Sequence, residues 1–204
     1  MLTLDHIAVS AETLEQGVDF IEAALGVPMA GGGRHEIFGT HNKLLRLGDT
    51  YLEVIAIDPM VGDLSYPRWF DLDRFHGPPR VSNWICRTRN AKASLQAALE
   101  GTGPMVEVCR GDLKWNITVP HSGRLPLDGC APAIIDWGGQ SSPALSLPDL
   151  GCKLKSLKIK HPDAARLAPF LNSNLNDPRV ILERSENAAL EMQIKTPTGL
   201  KCLK

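Results

Sequence analysis

The sequence predicts an α+β protein built from repeated βαβββ modules. Three observations carry that expectation: an order of strand, helix and two or three further strands at the N-terminus, the return of that order downstream, and similar short sequences in the last strands.

Leu4 to Val9 alternates as a strand, with Ile7 and Val9 expected on one face and Leu4, His6 and Ala8 on the other. Leu14, Val18, Ile21 and Leu25 then form one apolar helical stripe, which Ser10 or Thr13 can cap and Gly26 can end. Gly31-Gly32-Gly33 reads as a turn. Strands follow at 42–47 and 51–57, joined through Gly48-Asp49. The order returns as a strand at 82–88, an Ala- and Leu-rich helix at 90–99, a Gly-Thr-Gly-Pro break, and strands at 105–109, 113–119 and 131–137. A shorter copy is expected near the C-terminus: strand 153–160, helix 163–171, strands 180–183 and 188–195. Tyr51-Leu52-Glu53-Val54 compares directly with Ala189-Leu190-Glu191-Met192, and more loosely with Ile134-Ile135-Asp136-Trp137.

These spans suggest a single domain over 1–204, with module one at 1–58, module two at 81–140 and a C-terminal βαββ half-module at 152–204. The connection at 59–80 contains Pro59, Pro67, Pro78 and Pro79, which forbid a long regular element. It also holds Tyr66, Trp69, Phe70 and Phe75, so an ordered excursion over a pocket is expected rather than a loose linker. Residues 138–151, rich in Ser, Pro and Gly, read as a plain linker.

Composition excludes several classes. The 204 residues are 43% hydrophobic and 22% charged with a formal charge of −1, enough for a sizeable core and without an electrostatic reason to expect nucleic acid or acidic membranes. No stretch approaches the ~20 apolar residues of a membrane-spanning helix, and the N-terminus lacks the pattern of a signal peptide. The cysteine count, five, is odd and no CxxC occurs, which argues against a disulfide framework or a zinc ribbon and for buried thiols in a reducing compartment. A soluble cytoplasmic protein is the expectation. GxGxxG, Walker A, GxSxG and HExxH spacings are absent, so the usual nucleotide, hydrolase and zincin chemistries have no support.

Leu4-Asp5-His6-Ile7, Gly32-Gly33-Arg34-His35 with Gly39-Thr40-His41-Asn42, and Tyr51-Leu52-Glu53-Val54, together with Trp115 and Ile135-Asp136-Trp137, resemble the glyoxalase-like domain family of the vicinal-oxygen-chelate superfamily. The resemblance spans roughly the first 140 residues. It implies paired, curved, antiparallel-rich sheets enclosing a cleft, with helices outside, and in metal-dependent members ligands on the first and last strand of each module.

On that pattern His6 and Glu53 match the ligands of module one. Their strand parity turns both away from the aliphatic positions beside them. In module two, Asp136 matches Glu53, while the place of His6 falls near Asn83 or Trp84, neither a good ligand. His6, Glu53 and Asp136 are therefore the expected metal ligands, suited to Zn, Fe, Mn, Ni or Co. Structural alternatives stand beside each: a plain His6–Glu53 hydrogen bond, and an Asp136 satisfied by Arg or backbone N–H. Glu53 or His41 would move a proton, and Asn42 would contact substrate. Trp115 reads first as core and otherwise as an aromatic supplying burial in a binding cleft. His35 reads as an exposed hairpin residue, and Arg34 and Arg46 as solvated surface. The resemblance implies a small-molecule ligand and admits a homodimer. It leaves two functions open: a metal-dependent lyase, isomerase or dioxygenase acting on a small oxygenated substrate, or a metal-free protein that sequesters a small molecule. Glyoxalase I activity is not expected, because the full ligand pattern is missing.

Overall fold

The computed structural model describes residues 1–111 and 113–204. The first unit comprises β1 (Thr3–Ser10), α1 (Leu14–Leu25), β2 (Ala30–His35), β3 (Thr40–Arg46) and β4 (Tyr51–Ile57). The second comprises β5 (Arg80–Arg87), α2 (Ala91–Ala97), β6 (Met105–Arg110), β7 (Leu113–Thr118) and β8 (Ala133–Asp136). The C-terminal unit is β9 (Lys153–His161), α3 (Ala164–Asn174), β10 (Val180–Arg184), β11 (Ala189–Thr196) and β12 (Gly199–Leu203).

Helix α1 begins where the Thr13 hydroxyl accepts from the Gln16 amide at 3.2 Å, and ends at left-handed Gly26 (φ 71°). It buries Gly17, Ile21 and Leu25. At Gly17 a Cβ would stand 2.4 Å from Val54, so glycine lets the helix lie directly on β4. Helix α2 is capped by Asn90 yet buries no residue. The two units spend their helices differently.

Strands β2-β3-β4-β1-β5-β8-β7-β6 form one sheet. β1 and β5 run antiparallel at its centre, and each pairs in parallel with the last strand of its own unit. The edges curl towards each other until a Cβ at Gly33 of β2 would meet Arg110 of β6 at 2.8 Å. The mixed α+β repeat is thus present as one nearly closed sheet. The glycine triplet, expected as a turn, lies inside β2: at Gly32 (φ 98°) a Cβ would sit 2.1 Å from the Asn42 carbonyl oxygen.

The C-terminal unit does not repeat the pairing. β9 pairs in parallel with β10, the strand directly after α3, and β11 joins β9 antiparallel, giving the order β10-β9-β11-β12. In the first unit the parallel partner of the first strand is the last one, β4. Glu191 is therefore not a counterpart of Glu53; it pairs with Lys160 and Lys204.

One face of the large sheet packs Leu4, Ile7, Val9, Leu52, Val54 and Trp84 against α1, α3 and the second sheet. The inner face carries Ala8, Ile55, Ile85, Trp115, Ile135 and Trp137, covered by Trp69, Phe70 and Leu72 from the proline-rich connection. Leu4 lies with Ile7 and Val9, contrary to simple alternation, because the β1–β5 register shifts between Leu4 and His6. The skipped residue is Asp5. A second shift skips Ser82 on β5, so the two central strands are related by an approximate two-fold. Leu4, Asp5, His6, Ile7, Ala8 and Val9 answer Val81, Ser82, Asn83, Trp84, Ile85 and Cys86. No helix among the described residues is long and apolar enough to cross a membrane.

Candidate active site

The bulge at Asp5 decides the local chemistry. Without it Asp5 would share the aliphatic face with Ile7 and Val9; with it, Asp5 and His6 both reach the inner face. Asp5 Oδ2 lies 2.9 Å from His6 Nδ1, and the same carboxylate accepts from Trp137 Nε1 at 3.3 and 3.4 Å and from Arg87 at 3.5 Å. With Nδ1 engaged there, Nε2 faces Glu53 Oε2 at 3.4 Å. Tyr51 stacks on the imidazole at 4.4 Å and 12°. The ring cannot turn freely.

Glu53 is fixed from its other side. Asn42 donates its amide to Oε1 at 2.5 Å, while its own Oδ1 accepts from the Gly33 amide at 2.9 Å and from Arg110 at 3.1 Å. Those two donors set which way the carboxamide points. Gly33, having no side chain, gives Arg110 its place over β2.

Burial by itself would lower the His6 pKa, but Asp5 and Glu53 on its two nitrogens outweigh that and push it up to about 9. Burial would raise Glu53, yet His6, aided by Asn42, pulls it down to about 2. Both shifts favour the charged pair, a protonated His6 beside an ionised Glu53. His35 is also buried, against expectation, and its burial lowers its pKa to about 4, leaving it neutral. Its Nδ1 meets Thr40 Oγ1 at 3.1 Å, and it lies edge-on to Trp69 and Trp115 at 5.0 and 5.8 Å.

His6, His35, Tyr51, Glu53 and Arg110 line a chamber walled by Trp69, Phe70, Trp115 and Trp137. Its free volume is about 20 Å³, room for a single water-sized occupant.

The chain belongs to the glyoxalase-like domain family. The family match covers residues 4–175. A hypothetical protein from Staphylococcus aureus shares the fold at TM-score 0.62 and 14% identity, with 93% of this chain and 88% of that one covered. Weaker likenesses include a Streptomyces coelicolor methylmalonyl-CoA epimerase in complex with 2-nitronate-propionyl-CoA (TM-score 0.49, 18% identity, 70% and 100% covered) and a Mycobacterium tuberculosis methylmalonyl-CoA epimerase (0.44, 17%, 65% and 85%). No curated protein matches.

Within this glyoxalase-like fold, the expected site residues divide. His6, Glu53, Asn42 and Trp115 come together. His41 does not: it pairs with Ala56 on β4, so alternation turns it to the face opposite Asn42 and Glu53. Burial lowers its pKa, with Asp58 and Arg34 as its charged neighbours. Asp136 also turns away, next to inward-facing Ile135 and Trp137, and accepts from the Gly138 amide at 2.9 Å. The register explains the mismatch. Ala8 pairs with Glu53 and its counterpart Ile85 pairs with Ala133, so Ala133 holds the place expected for Asp136.

For a divalent metal, His6 Nε2 and a Glu53 oxygen converge, with Asp5 behind the imidazole as metal-bound histidines require. Asp136 supplies no third donor, and no group of three or more His, Cys, Asp or Glu among the described residues is placed to hold a metal. The set falls one short of the three protein ligands of a catalytic zinc site.

Sequence reasoning missed Asp5, Tyr51, His35 and Arg110. Asp5 had a signal: strict alternation would have buried a carboxylate among aliphatics.

Proposed function

We propose that this protein is an isomerase or lyase of small oxygenated molecules in which Glu53 exchanges a proton with the substrate and the His6 imidazolium holds the oxygen that becomes negative. The observation that carries this is His6 wedged between two carboxylates in a small, aromatic-walled chamber. The His6–Glu53 separation of 3.4 Å is longer than the ~2.7–2.9 Å of a charge-assisted hydrogen bond. A substrate carbonyl oxygen bonded to Nε2–H would take the imidazolium from Glu53. Glu53, then buried without its counter-ion, rises in pKa and becomes a competent base. It accepts the proton from the carbon next to the carbonyl, and the C–H electron pair moves onto the oxygen as an enolate held by His6. Return of the proton gives isomerisation; loss of a neighbouring leaving group gives elimination.

Zn, Fe, Mn, Ni or Co held by His6 and Glu53 would polarise such an oxygen instead, and a dioxygenase would need that metal. The incomplete ligand set favours the acid–base form. A metal-free sequestering protein is the second reading, supported by the non-ionisable Asn83 and Ala133 in the second unit. All cysteines described are free, which suits a reducing, cytoplasmic setting, and we take 1–204 as one domain with a homodimer admitted.

Deuterium incorporation from D2O into a panel of hydroxyketones and 2-substituted 3-oxoacids, followed by proton NMR, tests the proposal. Wild type should exchange at least one compound, and Glu53→Gln should slow that by about 10²–10⁴-fold. Compounds that bind without exchange, equally in Glu53→Gln, would leave the sequestering protein. A melting temperature raised by added Zn or Mn in wild type but not in His6→Ala would restore the metalloenzyme.

A further inference from the structure

A chamber of about 20 Å³ admits no organic substrate, so a way in has to exist. A groove of about 860 Å³ lies between the proline-rich connection and the C-terminal sheet. Phe70 lines both spaces and is the lining residue that they share. It packs in the inner-face cluster that also holds Ala8, Ile55 and Ile85. Its backbone is strained: Phe70 and Asp71 both lie in the left-handed region, at φ 57° and 59°. Strain of this kind costs about 1–3 kcal/mol per residue and gathers at clamps and switches.

The groove also contains Asn83, the two-fold counterpart of His6. Asn83 is 3% exposed, and among the described residues its Oδ1 meets no hydrogen-bond donor. Gly129 stands beside it, where a Cβ would lie 3.3 Å from Asn83 Nδ2. Asn83, Ala8 and Glu53 form one row across β5, β1 and β4. Two strand spacings, about 9.5 Å, separate the ends of that row, and the residue between them is only an alanine. A short molecule lying over Ala8 can touch both.

We propose that this groove is the substrate cleft, that Phe70 is its gate, and that Asn83 binds a hydroxyl or amide donor on an apolar-bodied substrate whose reacting end passes Phe70 to reach His6 and Glu53. The groove's charges narrow the class. Arg74 pairs with Asp71 at 2.5 Å, Arg124 with Asp128 at 2.5 Å and Lys204 with Glu191 at 3.6 Å. Arg80 lies over the Phe75 ring at 4.1 Å and is the lining cation without a carboxylate partner among the described residues. The ligand therefore carries at most one negative charge, and a polyphosphate tail finds no cluster of free cations here.

The proposal rests on the acid–base reading of His6 and Glu53, so its test uses binding, which does not depend on turnover. The probes are 4-phenylbutanamide and methyl 4-phenylbutanoate, of similar shape, of which only the amide has a donor. Ligand-observed NMR titration should show the amide bound at least fivefold more tightly than the ester by wild type. Asn83→Leu should remove that preference while keeping ester affinity within twofold. Because that change replaces an unpaired polar group, it should also raise the melting temperature by about 2–4 °C. Phe70→Gly suits the left-handed backbone. It should at least double acrylamide quenching of the chamber tryptophans and strengthen amide binding.

Equal affinity for the two probes in wild type, or amide preference surviving in Asn83→Leu, overturns the role of Asn83. Unchanged quenching in Phe70→Gly overturns the gate. Loss of deuterium exchange in Glu53→Gln would still stand in either case, so the two failures are distinguishable.

Discussion

The two βαβββ units share a backbone plan and differ in what they place on it. In the first, the bulge delivers Asp5 beside His6, and Glu53 stands across the parallel partner strand. In the second, the matching bulge delivers Ser82 beside Asn83, and Ala133 stands where Glu53 would be. One half therefore concentrates ionisable groups and the other offers hydrogen bonds and apolar surface. The same asymmetry reaches the helices, since α1 is anchored by buried residues and α2 is not. The two units keep the same pairing geometry and place different side chains on it.

The sharpest way to break that contrast is to place the same side chain at both two-fold positions. His6→Leu leaves Asp5 and Glu53 buried without the cation between them, which should cost about 3–5 kcal/mol. Asn83→Leu should cost nothing and stabilise, because it removes a buried unpaired carboxamide oxygen. Urea unfolding of both variants measures the difference. Comparable losses at the two sites would show that Asn83 is structurally paired and the asymmetry is false.

The second contrast concerns the helices. Truncating Ile21, fully buried on α1, to alanine should cost about 2–5 kcal/mol. Leu95 on α2 is only partly buried, and Leu95→Ala should stay within about 1 kcal/mol. Hydrogen exchange should likewise show α2 opening at lower free energy than α1. Equal protection would mean that α2 is held by contacts other than burial of its own side chains.

Much of this architecture was legible in the chain. The apolar stripe at Leu14, Val18, Ile21 and Leu25 and the alternating strands encode the units directly, and His6 with Glu53 followed from motif and parity. Register was not legible. Asp136 looked like Glu53 because both are carboxylates flanked by apolar residues in the last strand of a unit, but which residue pairs with Ile85 depends on a contact between distant segments. His41 failed for a related reason: β3 begins at Thr40 rather than at Asn42, which puts His41 inside the strand on the face opposite Asn42. The single strand hints at Asp5 only through the cost of burying its carboxylate, while the position of the bulge is set by the β1–β5 pairing. Pairwise facts of this kind escape a reading of single segments.

The smallest effect per step is electrostatic, and it sharpens the comparison because every strongly shifted histidine belongs to the first unit. His6 rises from 6.5 to about 9 in the folded protein. The folded state then binds more protons than the unfolded chain between those values, so the stability from His6 is complete below pH 6.5 and is lost as pH rises through about 9. His35 falls from 6.5 to about 4 by burial, so the unfolded chain binds more protons in that window and stability rises from pH 4 to 6.5. Glu53, lowered from 4.5 to about 2, adds stability that is present above 4.5 and lost as pH falls through about 2. The three together predict a maximum near pH 6.5, with limbs no steeper than about 1.4 kcal/mol per pH unit for one proton. Urea titrations at unit intervals from pH 4 to 9 test this. Glu53→Gln removes one of the two carboxylates on His6 and should flatten the alkaline limb, while the His35 limb should extend to lower pH because the Glu53 charge also raises the His35 pKa. Asn83→Leu carries no titratable group and should shift the whole curve without changing its shape. An alkaline limb that persists unchanged in Glu53→Gln would show that the Asp5 contact alone holds the proton on His6, and that the charged pair across β1 and β4 is weaker than its geometry implies.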